Sequence, residues 1–166
     1  MQTRTRSFPR VADLNAPTVI SSDALVERYI SIRRERMQGL PFVNQALEVE
    51  AIGFCPFNEH QLGVLITPWF MNLVILLKAG IGSTFPAGSK ITVRLPSGPI
   101  EFTAACDEEL GTFLSAVLFS SVGDIPDQIT ARDIAQEVMQ EVFNPAHNEK
   151  TMSRRALFRQ TEAADA

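Results

Sequence analysis

The apolar and polar positions of the chain follow two different periods, and the change from one period to the other marks its elements. Between residues 22 and 37 apolar side chains recur every three to four positions, which is the spacing of one face of an α-helix. This apolar stripe consists of Leu25, Val26, Tyr29, Ile32 and Met37. Ser22 suits the N-cap of this helix, and Gly39 followed by Pro41 suits its end.

A period of two begins at Leu47, where apolar residues alternate with glutamates and predict a half-buried strand. Two later runs, 62–66 and 72–77, consist mainly of branched aliphatic residues, as expected of strands that are covered on both faces. The segment TPWFM between the two runs contains Pro68, which a central strand would exclude. This segment is therefore predicted to be a loop.

Three further elements follow along the chain. Residues 90–95 and 100–104 alternate again on either side of the sequence PSGP, which predicts a β-hairpin. Residues 110–119 fit both the spacing of a helix and the composition of a buried strand, and we favour the extended conformation. A second helix is predicted from Thr130, with Thr130 and Asp133 as a capping box. Its apolar stripe consists of Ala131, Ile134, Ala135, Val138 and Val142.

These elements predict an α+β fold. We expect a largely antiparallel sheet of short consecutive strands, covered on one face by two main helices. The length of 166 residues suits a single domain, which we assign to residues 21–147. Residues 1–20 and 148–166 show no sustained period, and we expect them to form a flexible arm and a flexible tail.

Composition limits the function classes. Residues 37–147 contain four basic and twelve acidic residues, which argues against nucleic acid as a partner. Tetrahedral metal sites need about four nitrogen or sulfur ligands. The chain offers two cysteines and two histidines in all, so we expect neither a metal nor a cofactor. The apolar run 63–77 is shorter than the roughly 20 residues of a membrane helix, and the N-terminus shows no signal-peptide pattern, which predicts a cytoplasmic protein without a transmembrane segment.

Two segments carry candidate chemistry. Cys55 and His60 lie five residues apart, where a thiol and an imidazole could serve as nucleophile and base in an enzyme or in a cofactor-handling protein. No third group that would orient the imidazole is identifiable, and we favour a protein without catalytic activity. In the segment TPWFMN, the residues Trp69, Phe70 and Met71 are either core residues at the end of the sheet or exposed anchors for another protein.

The strings GLPFVNQALEVEAIGF and GVLITPWFMNLVILL resemble the HybE-type [NiFe]-hydrogenase assembly chaperones, a family whose members are also named HupJ and HoxT. The resemblance extends from about Arg36 to the segment SRRALFR. It implies a cytoplasmic, non-enzymatic maturation factor that binds a hydrogenase subunit precursor, chiefly the iron–sulfur small subunit with its twin-arginine export signal. Such a factor holds back export or oxidative damage until assembly is complete, with the large subunit or a separate rubredoxin as further partners.

The resemblance also gives the acidic residues a use. Paired arginines of a precursor would be attracted to carboxylates, while the apolar segment of the precursor would lie on Trp69, Phe70 and Met71. The acidic candidates are Asp107, Glu108, Glu109, Asp124, Asp127 and Asp133. A structural subunit of a larger complex stays as an alternative to the chaperone.

Overall fold

The computed structural model describes residues 20–78 and 85–145. Its elements in chain order are α1 (Ser22–Ile32), β1 (Glu50–Phe57), β2 (His60–Ile66), β3 (Met71–Leu76), β4 (Lys90–Leu95), β5 (Gly98–Asp107), β6 (Gly111–Phe119) and α2 (Gln128–Val142). A π-helical turn, Arg33–Met37, continues α1. Apart from Ile20, the expected arm and the expected tail lie outside the described residues.

The strands form one six-stranded sheet in the order β1-β2-β3-β6-β5-β4, and every neighbouring pair is antiparallel. β1, β2 and β3 form one meander, and β4, β5 and β6 form a second. The two meanders meet where β3 pairs with β6. The prediction of an α+β fold with a largely antiparallel sheet is confirmed.

Each face of the sheet has its own apolar cluster, because successive side chains of a strand point to opposite faces. On one side, which we call the α2 face, Val64 belongs to a cluster that includes Met139 of α2. On the other side, the α1 face, Leu65 belongs to a cluster that includes Leu25 of α1. The prediction that both helices cover the same face is therefore wrong. The central strands carry apolar side chains on both sides, so each side needs a helix to cover it.

The predicted strands are all present, but their boundaries differ, most at β5, which begins at Gly98 inside the predicted turn and continues to Asp107. Residues 62–66 and 72–77 are buried, as expected of strands covered on both faces. Within residues 110–119, the strand β6 is extended from Gly111, because it pairs with β3 on one side and with β5 on the other. The first strand begins at Glu50, later than its alternating pattern indicated, although Leu47 is already buried.

In both helices the N-cap lies before the residue that the sequence predicted. The hydroxyl of Ser21 accepts a hydrogen bond from the backbone of the first turn at 3.0 Å, so Ser21 and not Ser22 is the N-cap of α1. The carboxylate of Asp127 accepts one from the N–H of Thr130 at 2.7 Å and caps α2. Thr130 thus lies within the first turn of α2, and the predicted capping box of Thr130 and Asp133 is wrong. Several short polar residues near a helix start can serve as the cap, and sequence spacing does not rank them.

Hydrogen bonds join α2 to segments beside both edges of the sheet. At the N-terminal end of α2, the Gln128 side-chain oxygen accepts a hydrogen bond from the N–H of Glu48, just before β1, at 2.8 Å. At the C-terminal end, the Val142 carbonyl accepts one from the N–H of Ser97 in the β4–β5 turn at 3.1 Å. Since β1 and β4 are opposite edges of the sheet, α2 spans the sheet from one edge to the other.

A β-bulge in β1 brings an aromatic ring over β2. The register of the β1–β2 pair shifts between Ile52 and Cys55, and Gly53 adopts a φ of +69°, a conformation that favours glycine. The ring of Phe54 lies against Gly63, where a Cβ atom would overlap the ring. Glycine at position 63 is therefore required by this contact rather than by its backbone conformation.

We expect Gly63→Ala to lower the free energy of unfolding by about 1–3 kcal/mol, because the ring of Phe54 must move to accommodate the added methyl group. Denaturant unfolding followed by circular dichroism measures this difference. Gly123→Ala is the matched control, since the nearest atom to its new Cβ would lie 3.9 Å away. Equal stability of the two variants would contradict the close contact between Phe54 and Gly63.

Candidate functional site

The loop of residues 67–70, which joins β2 to β3, is held in place by its first residue. Thr67 is fully buried, and its hydroxyl oxygen accepts hydrogen bonds from the N–H groups of Phe70 at 2.9 Å and Trp69 at 3.3 Å. The N–H of Thr67 donates to the carbonyl of Phe70 at 2.9 Å. A threonine hydroxyl can bond to the backbone of its own turn in this way. The two aromatic residues of the loop are therefore held in a fixed geometry.

Trp69 and Phe70 form an aromatic cluster with Tyr29 of α1. The ring of Phe70 lies 5.6 Å from the ring of Tyr29 and 5.8 Å from that of Trp69, in both cases edge to face at 75°. The rings of Trp69 and Tyr29 are 6.3 Å apart. Phe70 and Tyr29 also pack against the apolar cluster of the α1 face. All three side chains are half-buried, so each has one side on the protein and another in solvent.

Met71 does not share the surface position of the two aromatic residues. It is the first residue of β3, has an exposed fraction of 0 %, and belongs to the apolar cluster of the α2 face. A side chain without exposed surface contacts another protein only if the strand moves. Of the three apolar candidates in TPWFM, the structure brings Trp69 and Phe70 together at the surface and buries Met71 in the core.

Asn44 connects three segments by hydrogen bonds at the end of the sheet where loop 67–70 lies. Its backbone N–H donates to the carbonyl of Pro68 at 2.7 Å. Its side-chain amide donates to the carbonyls of Val122 and Ile125, both at 2.9 Å. The strings LPFVN and TPWFM, which carry the resemblance, are thus in contact. Sequence reasoning missed the role of Asn44 because a loop asparagine is most often a local turn residue.

Exposed apolar side chains continue from the aromatic loop onto the sheet. Val117 has an exposed fraction of 65 % and Phe119 of 40 %. The register pairs Phe119 with Met71 and Val117 with Asn72, so both exposed residues lie beside the start of β3. A contiguous exposed apolar surface on a folded protein commonly marks a contact with another molecule. This end of the sheet is therefore the candidate interaction site.

The acidic candidates lie in three places rather than in one site. The turn between β5 and β6, at the end of the sheet away from loop 67–70, contains Asp107, Glu108 and Glu109. The segment after β6, at the same end as loop 67–70, contains Asp124 and Asp127. Asp133 is exposed on α2. Asp124 and Asp127 thus share the end of the sheet with loop 67–70, where Asp127 already serves as the helix cap. Asp107 lies near Tyr29 of the aromatic cluster, whose pKa is raised by burial and by the charge of Asp107.

Arg28 of α1 forms an ion pair with the carboxylate of Asp107. Its Nε lies 3.0 and 2.9 Å from the two carboxylate oxygens, and its Nη1 lies 3.3 Å from Glu109 Oε1. The Arg28 side chain is 7 % exposed and that of Asp107 is 17 % exposed. Partial burial alone would raise the pKa of Asp107, but hydrogen bonds from Arg28 and from the N–H groups of Glu109 and Leu110 outweigh it, so the pKa lies below its ordinary value. Asp107 thus fastens α1 to the sheet.

Cys55 and His60 make separate hydrogen-bond contacts. The Sγ atom of Cys55 lies 3.8 Å from the carbonyl of Leu62, and Nδ1 of His60 accepts a hydrogen bond from the N–H of Lys78 at 2.9 Å. Within residues 20–78 and 85–145, no three His, Cys, Asp or Glu side chains come together to hold a metal ion. In the same part of the chain, no helix combines the length and the apolar character needed to cross a membrane.

Known proteins are similar to this chain in sequence and in fold. A family model described as "[NiFe]-hydrogenase assembly, chaperone, HybE" matches residues 21–160. The hydrogenase expression/formation protein HupJ of Bradyrhizobium diazoefficiens is 37 % identical over 141 residues, which cover 85 % of this chain and 82 % of that protein. The probable rubredoxin HupJ of Rhodobacter capsulatus is 35 % identical over 162 residues, which cover 93 % of this chain and 58 % of that protein. The solution structure of HybE from Escherichia coli has the same fold, with a TM-score of 0.60 over 76 % of this chain and 79 % of that one, at 20 % identity.

We expect Asp107→Asn to lower the melting temperature near neutral pH, because Arg28 loses its charged partner in a shielded position. The pKa of Asp107 is depressed in the folded protein, so its stabilising contribution is present above the ordinary aspartate pKa of about 3.9 and is lost as the pH falls through the depressed value. The difference in melting temperature between the variant and the wild type should therefore shrink as the pH is lowered from about 7 to about 2.

Thermal unfolding over this pH range measures the effect of the Asp107 substitution. Glu108→Gln, in the exposed neighbouring residue, is the control and should change the melting temperature little at any pH. A difference for Asp107→Asn that stays constant across the pH range would contradict the ion pair with Arg28.

Proposed function

This chain belongs to the HybE family of [NiFe]-hydrogenase assembly chaperones, and from that premise we propose that its client is the precursor of the iron–sulfur small subunit. In this proposal the chaperone acts in the cytoplasm and binds the precursor while the twin-arginine export signal is still attached. Binding holds the precursor back from export and shields it from oxidation until assembly is complete. The chaperone acts by binding alone and catalyses no reaction.

The observation that carries this proposal is the aromatic cluster at the end of the sheet. Trp69 and Phe70 are half-buried, are fixed by the hydroxyl of Thr67, and lie at the same end of the sheet as the exposed Val117. Aromatic residues that are already ordered lose little conformational freedom on binding, and such residues dominate the energetics of protein contacts. An apolar segment of the client can lie across this surface and cover the rings.

Charge complementarity supports a client with basic residues next to its apolar segment. Residues 37–147 contain twelve acidic and four basic residues, and Asp124 is exposed at the same end of the sheet as the aromatic cluster. In an export signal the basic residues precede the apolar part, so both kinds of contact can form side by side. Glu108 and Asp133 are exposed elsewhere and contribute by long-range attraction, whereas Asp107 serves the fold through Arg28.

A separate rubredoxin is a further candidate partner. The Rhodobacter relative that is named a probable rubredoxin extends beyond the part that matches this chain. The two cysteines here, Cys55 and Cys106, cannot provide the four thiolates of a rubredoxin-type iron site. Protection of the client against oxidation then comes from shielding or from a partner that carries the iron. The hydrogenase large subunit is a candidate partner in the same assembly step.

We expect Trp69→Ala to weaken binding of the small-subunit precursor by roughly 30-fold, which corresponds to about 2 kcal/mol, while the chain stays folded. The indole ring packs against the rings of Tyr29 and Phe70 and is a member of neither buried cluster, so its removal leaves both clusters intact. Calorimetric titration with the purified precursor, with and without its signal peptide, measures the affinity. A thermal melt of the variant measures its stability.

Ile129→Ala is the matched control for the loss of an exposed apolar side chain. Ile129 is 66 % exposed on α2, which packs on the other face of the sheet from α1, and its removal should leave the affinity unchanged. Phe70→Ala should weaken binding too, but with a lower melting temperature, because Phe70 also packs against the α1-face cluster. Unchanged affinity of Trp69→Ala together with a large loss of stability would identify Trp69 as a core residue and overturn the proposal.

A further inference from the structure

The sheet divides into a fork at the end where the aromatic loop lies. The β5–β6 ladder ends at the pair Thr103 and Ser115. Beyond this pair, residues 98–102 of β5 pair with β4, and residues 116–119 of β6 pair with β3. We call the space between these two segments the fork. On the β5 side of the fork, a hydrogen bond joins the β4–β5 turn to the last residue of α2.

Backbone groups of both strands point into the fork. The N–H and C=O directions alternate along an antiparallel strand. The N–H of Ala104 donates to the residue before β4 at 2.9 Å, so Thr103 and Glu101 direct their backbone groups toward β6. Val117 lies two residues beyond Ser115 and likewise directs its backbone groups into the fork. Among the described residues, the ladders provide no partner for Glu101 or Val117 on this side.

An apolar surface lies beside these backbone groups, and an unpaired polar atom lies on the neighbouring strand β3. Val117 and Phe119 are the exposed apolar residues of β6. Asn72, opposite Val117 on β3, is 9 % exposed, and its Nδ2 donates to the hydroxyl of Ser115 at 2.8 Å. Its Oδ1 is buried and has no hydrogen-bond partner in the described part of the chain. An unpaired buried acceptor is unfavourable, and its presence in a folded protein points to a missing donor.

Carboxylates surround the fork where a basic flank of an incoming segment would lie. The segment 120–127, which follows β6, contains Asp124 and Asp127 and no basic residue. On β5, the side chain of Glu101 is 63 % exposed and is 3.8 Å from Lys90, a distance that leaves this pair weak in solvent. Apolar contacts, free backbone groups and negative charge thus occur together in the fork.

We propose that an extended apolar segment of the client, with arginines beside it, adds as a strand to β6 in the fork. This inference rests on the proposed function and names the mode of recognition. The client strand pairs with the backbone of Val117 and covers the side chains of Val117 and Phe119, while its flank meets Asp124. Strand addition uses main-chain hydrogen bonds for affinity and alternate side chains for specificity, which suits clients that share apolar character rather than a fixed sequence.

The test uses the full-length, isotope-labelled chain and a synthetic peptide with the signal sequence of the cognate small-subunit precursor. Amide hydrogen exchange should slow at Glu101 and Val117 when the peptide binds. Val117→Lys should weaken peptide binding at least about tenfold without lowering the melting temperature, because the side chain is exposed. Ile129→Lys, with an exposed fraction of 66 % against 65 % for Val117, is the matched control and should leave the affinity unchanged.

A second peptide separates strand addition from simple apolar contact. It carries N-methyl groups at alternate backbone amides, which removes donors on one edge of the strand but keeps every side chain. We expect the peptide with its β6-facing amides methylated to bind at least about tenfold more weakly, and the peptide with the opposite amides methylated to bind more like the unmodified one.

The outcomes distinguish this inference from the proposed function. If the unmodified peptide and the full precursor both fail to bind, both proposals fall. If the precursor binds but Val117→Lys and methylation have no effect, the proposed function stands and strand addition is overturned. Slow exchange at Glu101 and Val117 already in the free chain would show that another part of the protein or a second copy fills the fork, which also overturns it.

Discussion

Burial of β3 on both of its faces is the constraint on which the architecture depends. Every residue of this strand is buried, and its side chains alternate between the two faces, so one helix must cover each face. β3 must also have a strand on each side, which the two meanders provide by pairing it with β2 and β6. α2 is hydrogen-bonded to segments beside both edges of the sheet, and β5 and β6 separate at the end where these hydrogen bonds lie. The fork thus lies beside the contacts that join α2 to the sheet.

Local patterns were sufficient to predict the strands but not the arrangement of the helices. The composition of 62–66 and 72–77 predicts burial on both faces because it depends on neighbours within a few residues. Which face each helix covers depends instead on contacts between distant segments, and the sequence pattern placed both on one face. The N-cap of α1 was predicted wrongly for a different reason. Ser21 and Ser22 are adjacent and chemically identical, and only the backbone geometry selects between them.

The loop that carries the aromatic candidates was predicted from the sequence, but the exposure of its side chains was not. The string TPWFM indicated the loop, yet Trp69, Phe70 and Met71 are all large and apolar, and only the turn fixed by Thr67 decides which of them face solvent. The six acidic residues looked equivalent in sequence. The pairing of Asp107 with Arg28 spans 79 positions and is not visible in any local pattern. The apolar character of Val117 suggested a buried residue, but its side chain in β6 is exposed.

The hydrogen bonds of Asn44 bear on when this part of the structure forms during synthesis of the chain. Its side chain contacts Val122 and Ile125 across 78 and 81 positions of the chain. Contacts between residues so far apart in sequence close large loops of the chain. The conformational entropy of each loop is lost before its contact forms, so these contacts form late in folding. On the ribosome, Trp69 emerges long before Ile125, and the anchor for its loop is complete only after β6 has been synthesised. The hydrogen bonds that hold Asn44 beside the aromatic loop are therefore complete only after Ile125 has been synthesised, 56 positions after Trp69.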